Sequence, residues 1–185
     1  MRKNLLLLFI ALSFSTFAYG QGTPKPTPTP APKPPVYIAA DNVTTVAQVT
    51  DVTSKDEYYI HLKALIESHK VKNLTYQYEY NGAANLNSPD LGYMASNGQI
   101  AMMAVAKERG MLASKYKALF GKSCSTPLGK NGVLAEAEVL EELKCRFGLT
   151  EMKNSTPTNV VTKGRFAMLL NQALNLWIRK LDALK

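Results

Sequence analysis

Two stretches of this chain carry the same residue classes position by position. One is Ser96-Asn97-Gly98-Gln99-Ile100-Ala101-Met102-Met103, the other Thr162-Lys163-Gly164-Arg165-Phe166-Ala167-Met168-Leu169. Each reads small hydroxyl, polar, Gly, long polar, bulky apolar, Ala, Met, bulky apolar. A unit that repeats in this way must bury its apolar face against a neighbouring copy, which constrains the fold more than composition does. Each stretch is expected to open a helix, and each is preceded by another helical pattern. Leu62, Leu65, His69 and Val71 align with Leu140, Leu143, Phe147 and Leu149 at a constant offset of 78, whereas the two openings are 66 apart. The second unit is therefore shorter in its middle loop, and the extra residues of the first fall around Asn85 to Met94. The expectation is an all-α domain of repeated helix–loop–helix units, about 48–110 and 133–185, with four main helices.

The pattern of each helix follows from spacing and capping. Ser54-Lys55-Asp56-Glu57 has the form of a capping box, and Tyr58, Leu62, Leu65, Ile66 and His69 follow at helical intervals. Asn81-Gly82 and Pro89-Asp90-Leu91-Gly92 read as turns. The second helix is expected from Ser96 to Phe120, with Ile100, Met103, Ala104, Met111, Tyr116 and Leu119 facing the core and Gly110 as a point where it kinks or splits. The third, Val133 to Phe147, has Glu136, Glu138, Glu141 and Glu142 early and Lys144 and Arg146 late. This order suits the helix dipole, and the acids read as a solvated face. The last helix takes Thr162 as N-cap and buries Phe166, Leu169, Leu170, Ala173, Leu174, Trp177 and Leu181. Trp177, Met102 and Met168 read as packing residues.

The first twenty residues read as a signal peptide. Arg2 and Lys3 precede an apolar run from Leu5 to Leu12, and Ala18-Tyr19-Gly20 supplies small residues for cleavage. The run is short for a bilayer span, so no transmembrane segment is expected after cleavage. Residues 21–35 hold seven of the ten prolines. Such a segment is an extended polyproline II tether at about 3.1 Å per residue, or a disordered tail. Residues 36–185 form one domain. The basic residues before Pro35 account for half of the formal charge of +8, so the domain is mildly basic. That suits an anionic wall polymer better than nucleic acid. Cys124 and Cys145 are the only cysteines; in an oxidising compartment they form a disulfide, or else pack as small buried thiols.

The arrangement resembles the S-layer homology (SLH) domain family. Val49-Thr50-Asp51-Val52 and Tyr58-Tyr59 resemble the start of its unit, and Tyr80-Asn81-Gly82 resembles its Gly-containing loop. Val161-Thr162-Lys163-Gly164-Arg165-Phe166-Ala167 resembles its second-helix opening, with Ala95-Ser96-Asn97-Gly98-Gln99-Ile100-Ala101 as a more diverged partner. The resemblance implies units around a pseudo-threefold axis with ligand grooves between them. It also implies a basic residue at the opening that contacts an acidic wall polysaccharide. Lys163 and Asn97 stand where the family has Arg, and Arg165 and Gln99 where it has Glu. Lys can still act as a point charge but lacks the fork of Arg. The candidate ligand residues are Thr162, Lys163, Arg165, Asn97, Gln99 and Tyr80, with Tyr78 as further stacking surface and the backbone amides at the start of the last helix as an anion site.

No catalytic motif accompanies them. His61 and His69 are the only histidines, and no His-Glu-x-x-His, Gly-x-Ser-x-Gly or phosphate-binding Gly loop is present. Glu57 with Asp51 or Asp90 gives two carboxylates without diagnostic spacing. No metal or cofactor is implied. The expected function is an exported, non-catalytic module that binds a cell-wall glycan. The alternative is a periplasmic or surface scaffold that binds an envelope protein or a second copy of itself and has lost glycan binding.

Overall fold

The computed structural model describes residues 43–129, 132–152 and 160–184. All of them lie in one compact unit, Tyr37–Lys185. The expected signal peptide and Pro-rich tether lie outside the described residues. Among the described residues the secondary structure is helical, with only isolated β-bridges: α1 (Tyr59–Lys63), α2 (Ser88–Glu108), α3 (Ala113–Lys117), α4 (Glu136–Arg146) and α5 (Lys163–Asp182). A 3-10 turn, Val46–Gln48, precedes α1, and a π-helical stretch, Ala64–Ser68, continues it. No helix among them is long and apolar enough to cross a membrane.

α5 is the axis of the fold and touches α1, α2 and α4. Its expected apolar face is buried throughout: Phe166, Leu169, Leu170, Ala173, Leu174, Trp177 and Leu181. Thr162 caps it, its side-chain oxygen accepting from the Arg165 N–H at 3.2 Å. Trp177 is fully buried and stacks on Phe120 at 4.8 Å. The expected face of α1 also lies inward. Leu62, Leu65, Ile66 and His69 are buried and Tyr58 is half-buried. The expected Ser54–Glu57 box does not cap α1, whose N-cap is Tyr58 with no side-chain hydrogen bond; the side-chain turn lies upstream. Asp56 accepts from the N–H and hydroxyl of Thr53, at 2.6 and 3.0 Å.

α2 departs from its expected bounds. It starts at Ser88, because Asn87 accepts from the Asp90 N–H at 2.7 Å and Pro89 lies in a first turn that needs no donor from it. Pro89 to Gly92, expected to form a turn, is helical, so residues expected to lengthen a loop lengthen the helix. Of the expected face, Met103, Met111 and Leu119 are half-buried against the core, but the fully buried stripe of the helix is a different one. Leu91, Met94, Ala95, Gly98, Ala101, Met102 and Ala106 are buried, whereas Ile100 is 59% exposed and Ala104 is exposed. The helix ends at Gly110 (φ 72°), whose N–H bonds the Lys107 carbonyl at 2.9 Å. Tyr116 then falls in the separate helix α3 and is buried.

α4 begins at Glu136 and stops where Gly148 adopts φ 56°. Two of its acids correct the solvated-face expectation. Glu136 and Glu142 are buried, Glu142 bonding Arg146 at 2.5 Å; Glu138 and Glu141 are exposed. Cys124 and Cys145 are joined by a disulfide that ties the segment after α3 to the end of α4. In the chain-entropy model, a loop of this length is worth about 3 kcal/mol.

Candidate functional site

The candidate residues lie around the start of α5. The chain from Gly82 to Leu86 runs antiparallel to Val161–Gly164. Leu86 N–H bonds the Val161 carbonyl at 2.8 Å, Lys163 N–H the Ala84 carbonyl at 2.9 Å, and Gly164 N–H the Gly82 carbonyl at 2.9 Å. With Arg165 N–H on the Thr162 hydroxyl and Phe166 N–H on the Thr162 carbonyl at 2.9 Å, the first four amides of the helix are engaged. The anion site expected from exposed amides is therefore not formed. A helix start binds anions only with its unpaired donors, and the loop has satisfied them.

The two candidate cations are likewise engaged within the protein. Arg165 bonds Glu136 with both arms of its fork: Nε to Oε2 at 3.0 Å and Nη2 to Oε1 at 2.8 Å. Glu136 is 0% exposed, and these bonds hold the Arg165 guanidinium above its ordinary pKa. Lys163 Nζ lies 3.2 Å from Oδ2 of Asp90, which is 2% exposed. Asp90 is in the first turn of α2 and Glu136 in the first turn of α4. Basic residues at a helix start oppose its dipole, and acids there complement it. Three helix starts thus meet with their charges interleaved.

Tyr80, expected as stacking surface, is buried. Its hydroxyl donates to the Lys163 carbonyl at 2.6 Å, and burial pushes its pKa up beyond the ordinary phenol range. Asp51, from the stretch resembling an SLH unit start, accepts from the N–H groups of Tyr80 and Asn81 at 2.7 and 2.5 Å. It therefore anchors the turn. Tyr78 stays 41% exposed. Asn97 and Gln99 lie in the middle of α2, away from any helix start. Gln99 donates to the Arg146 carbonyl at 3.0 Å, and the half-buried Asn97 leaves its Nδ2 without a hydrogen-bond partner.

Thr162 and Arg165 do line a cleft of about 560 Å³, together with Lys55, Glu57 and Tyr58. Its floor depends on two glycines. A Cβ at Gly82 would stand 2.2 Å from the Tyr58 ring, and one at Gly164 would stand 2.3 Å from it. The Tyr58 ring fills the space that those missing side chains leave, beside Tyr80 at 5.8 Å. Burial raises the Tyr58 pKa, helped by the charges of Asp56 and Asp51. Lys55 and Arg165 are balanced along the cleft by Asp56 and Glu57, so the cleft has no strong charge of either sign.

Sequence reasoning missed three parts of this site: Tyr58 as the wedge, and Asp90 and Glu136 as the partners of the cations. The Asn87-x-x-Asp90 cap was a readable signal for the first acid; nothing local distinguishes Glu136 from its exposed neighbours. His61 of α1 and His69, just after the π-helical continuation, meet on Asn171 of α5. Among the described residues, no group of three or more His, Cys, Asp or Glu could hold a metal ion. Comparison with family models, curated proteins and solved structures gives no match.

Proposed function

We propose that this protein is an exported, non-catalytic SLH-like module of the cell envelope, with its glycan-contacting positions turned to structural use and its role that of a scaffold or protein-interaction module. The observation that carries the reading is the engagement of Lys163 and Arg165 by the buried acids Asp90 and Glu136. A cation recruited to hold a buried carboxylate is a poor contact for an external one, because leaving would weaken the hold on the internal charge. The repeated motif and the order of SLH-like segments supply the family and envelope parts of the proposal.

The test measures stability and wall binding on the same variant. Arg165→Ala is expected to cost about 3 kcal/mol in urea unfolding, since it removes the fork bonded to a buried carboxylate. The wild-type domain is expected to stay in the supernatant when mixed with purified cell walls, and the variant to behave the same way. Wild-type sedimentation that Arg165→Ala abolishes without loss of stability would restore the glycan-binding role. In that second reading the glycan would use the cleft that Thr162, Arg165 and Lys55 line together. Lys55→Ala would then weaken sedimentation.

A further inference from the structure

His69 and Asn171 are buried, 7% and 8% exposed, and His61 is half-buried. His69 Nε2 lies 3.1 Å from Asn171 Oδ1, and Asn171 Nδ2 lies 3.0 Å from His61 Nδ1. One carboxamide on α5 thus bridges two imidazoles from the α1 segment, across 102 and 110 residues of chain. A carboxamide has one accepting end and one donating end. The donating end needs a ring nitrogen with a free lone pair, and an imidazolium has none. Turning the amide over exchanges the two histidines without changing this. The bridge therefore accommodates one imidazolium at most, in either orientation.

We infer that His61, Asn171 and His69 form an acid-sensitive clasp that holds α1 and its π-helical continuation against α5, weakening when both imidazoles take up protons. This rests on the bridge alone and is independent of what the envelope module binds.

The surrounding charges do not rescue the doubly protonated state. Lys63 and Glu67, on the same helical segment as the histidines, pair with each other at 4.0 Å. The 3-10 turn Val46–Gln48, which packs on α1, has no charged residue. From α5, Lys163 and Arg165 are paired with acids, Lys180 bonds the Gly148 carbonyl, and Asp182 pairs with Arg109. That leaves Arg179 of α5 and Glu151 after α4, of opposite sign, in the cleft that His61 and Asn171 line. Burial lowers the pKa of His61; for His69 burial lowers it and the bond to Asn171 partly opposes the shift.

The sign of the effect follows. Unfolded histidines titrate near pH 6.5, and the folded pair resists protonation. The unfolded chain then binds more protons as the pH falls below that value, so stability is complete above it and declines beneath it. Each excluded proton raises the unfolding constant roughly tenfold between pH 7 and 5.5.

Urea unfolding of the domain across pH 7.5 to 5.5 tests this, alongside an NMR titration of the two imidazoles in the folded wild type. The expected result is a midpoint that falls with acid and at least one imidazole that stays neutral well below pH 6.5. Asn171→Asp should flatten or reverse the trend, because a carboxylate accepts from both imidazoliums. His61→Gln should remove most of it, because a lone His69 imidazolium can still donate to Asn171 Oδ1. A wild-type midpoint that is flat over this range would overturn the inference. So would two imidazoles that both titrate near 6.5 in the folded protein, or an unchanged slope in Asn171→Asp. Should Asn171→Asp not fold, the wild-type titration decides alone.

Discussion

The two copies of the shared pattern differ in where they stand. Thr162–Leu169 opens a helix, whereas Ser96–Met103 lies in the middle of one. Matching residues therefore do different work. Thr162 caps α5, while Ser96 donates back to the Gly92 carbonyl at 2.7 Å. Arg165 forks onto a buried acid, while Gln99 reaches a carbonyl at the end of α4. Gly164 admits the Tyr58 ring, while Gly98 admits Leu170 and Phe147 of the opposite half. Phe166 is buried and Ile100 is largely exposed. A sequence pattern preserved in this way reports how a helix packs at its small residues. It does not report what its polar positions bind.

The widest gap between the copies is expected at their bulky apolar position. Phe166→Ala removes a fully buried ring and should cost about 3–5 kcal/mol, whereas Ile100→Ala should change stability by less than about 0.5 kcal/mol. Urea midpoints of the two variants measure the difference, and equal losses would mean that Ile100 is covered in solution. The glycines come next. Gly164→Ala pushes a methyl into the Tyr58 ring and should cost about 1–3 kcal/mol. Gly98→Ala meets only movable side-chain ends at 3.2 to 3.4 Å. Its gain in helix propensity of up to about 1 kcal/mol should offset most of that contact. Thermal unfolding that ranks Gly98→Ala as the worse variant would break the distinction. The smallest contrast is at the hydroxyls. Thr162→Ala loses a cap worth about 1 kcal/mol; Ser96→Ala loses bonds to the Gly92 carbonyl and from the Arg146 guanidinium but leaves the start of α5 intact. Amide exchange at the first turn of α5 would register the first and not the second.

The tyrosines extend the comparison beyond the motifs. Tyr58, Tyr78 and Tyr80 take three different places: one is a wedge, one is exposed and one is buried with its hydroxyl bonded. Two short-range facts separate them. Gly82 and Gly164 make room for one ring, and Asp51 holds the turn that draws Tyr80 inward. Neither relation can be read along the chain, because each joins residues tens of positions apart.

Helical class, the course of α5 and its cap, the buried face of α1 and the end of α4 at Gly148 were legible in the sequence. Each depends on periodicity or on a local backbone preference that acts within a few residues. The start of α2 was also written locally, in Asn87, Pro89 and Asp90, but the shared motif drew the boundary to Ser96 and misplaced Ile100 and Ala104. The partners of the charges were decided elsewhere. Whether Glu136 faces water or Arg165, whether the amides of α5 stay open, and whether His61 and His69 share Asn171 depend on which elements meet. Coulombic attraction, desolvation and hydrogen bonding act through space, so only the tertiary structure settled them.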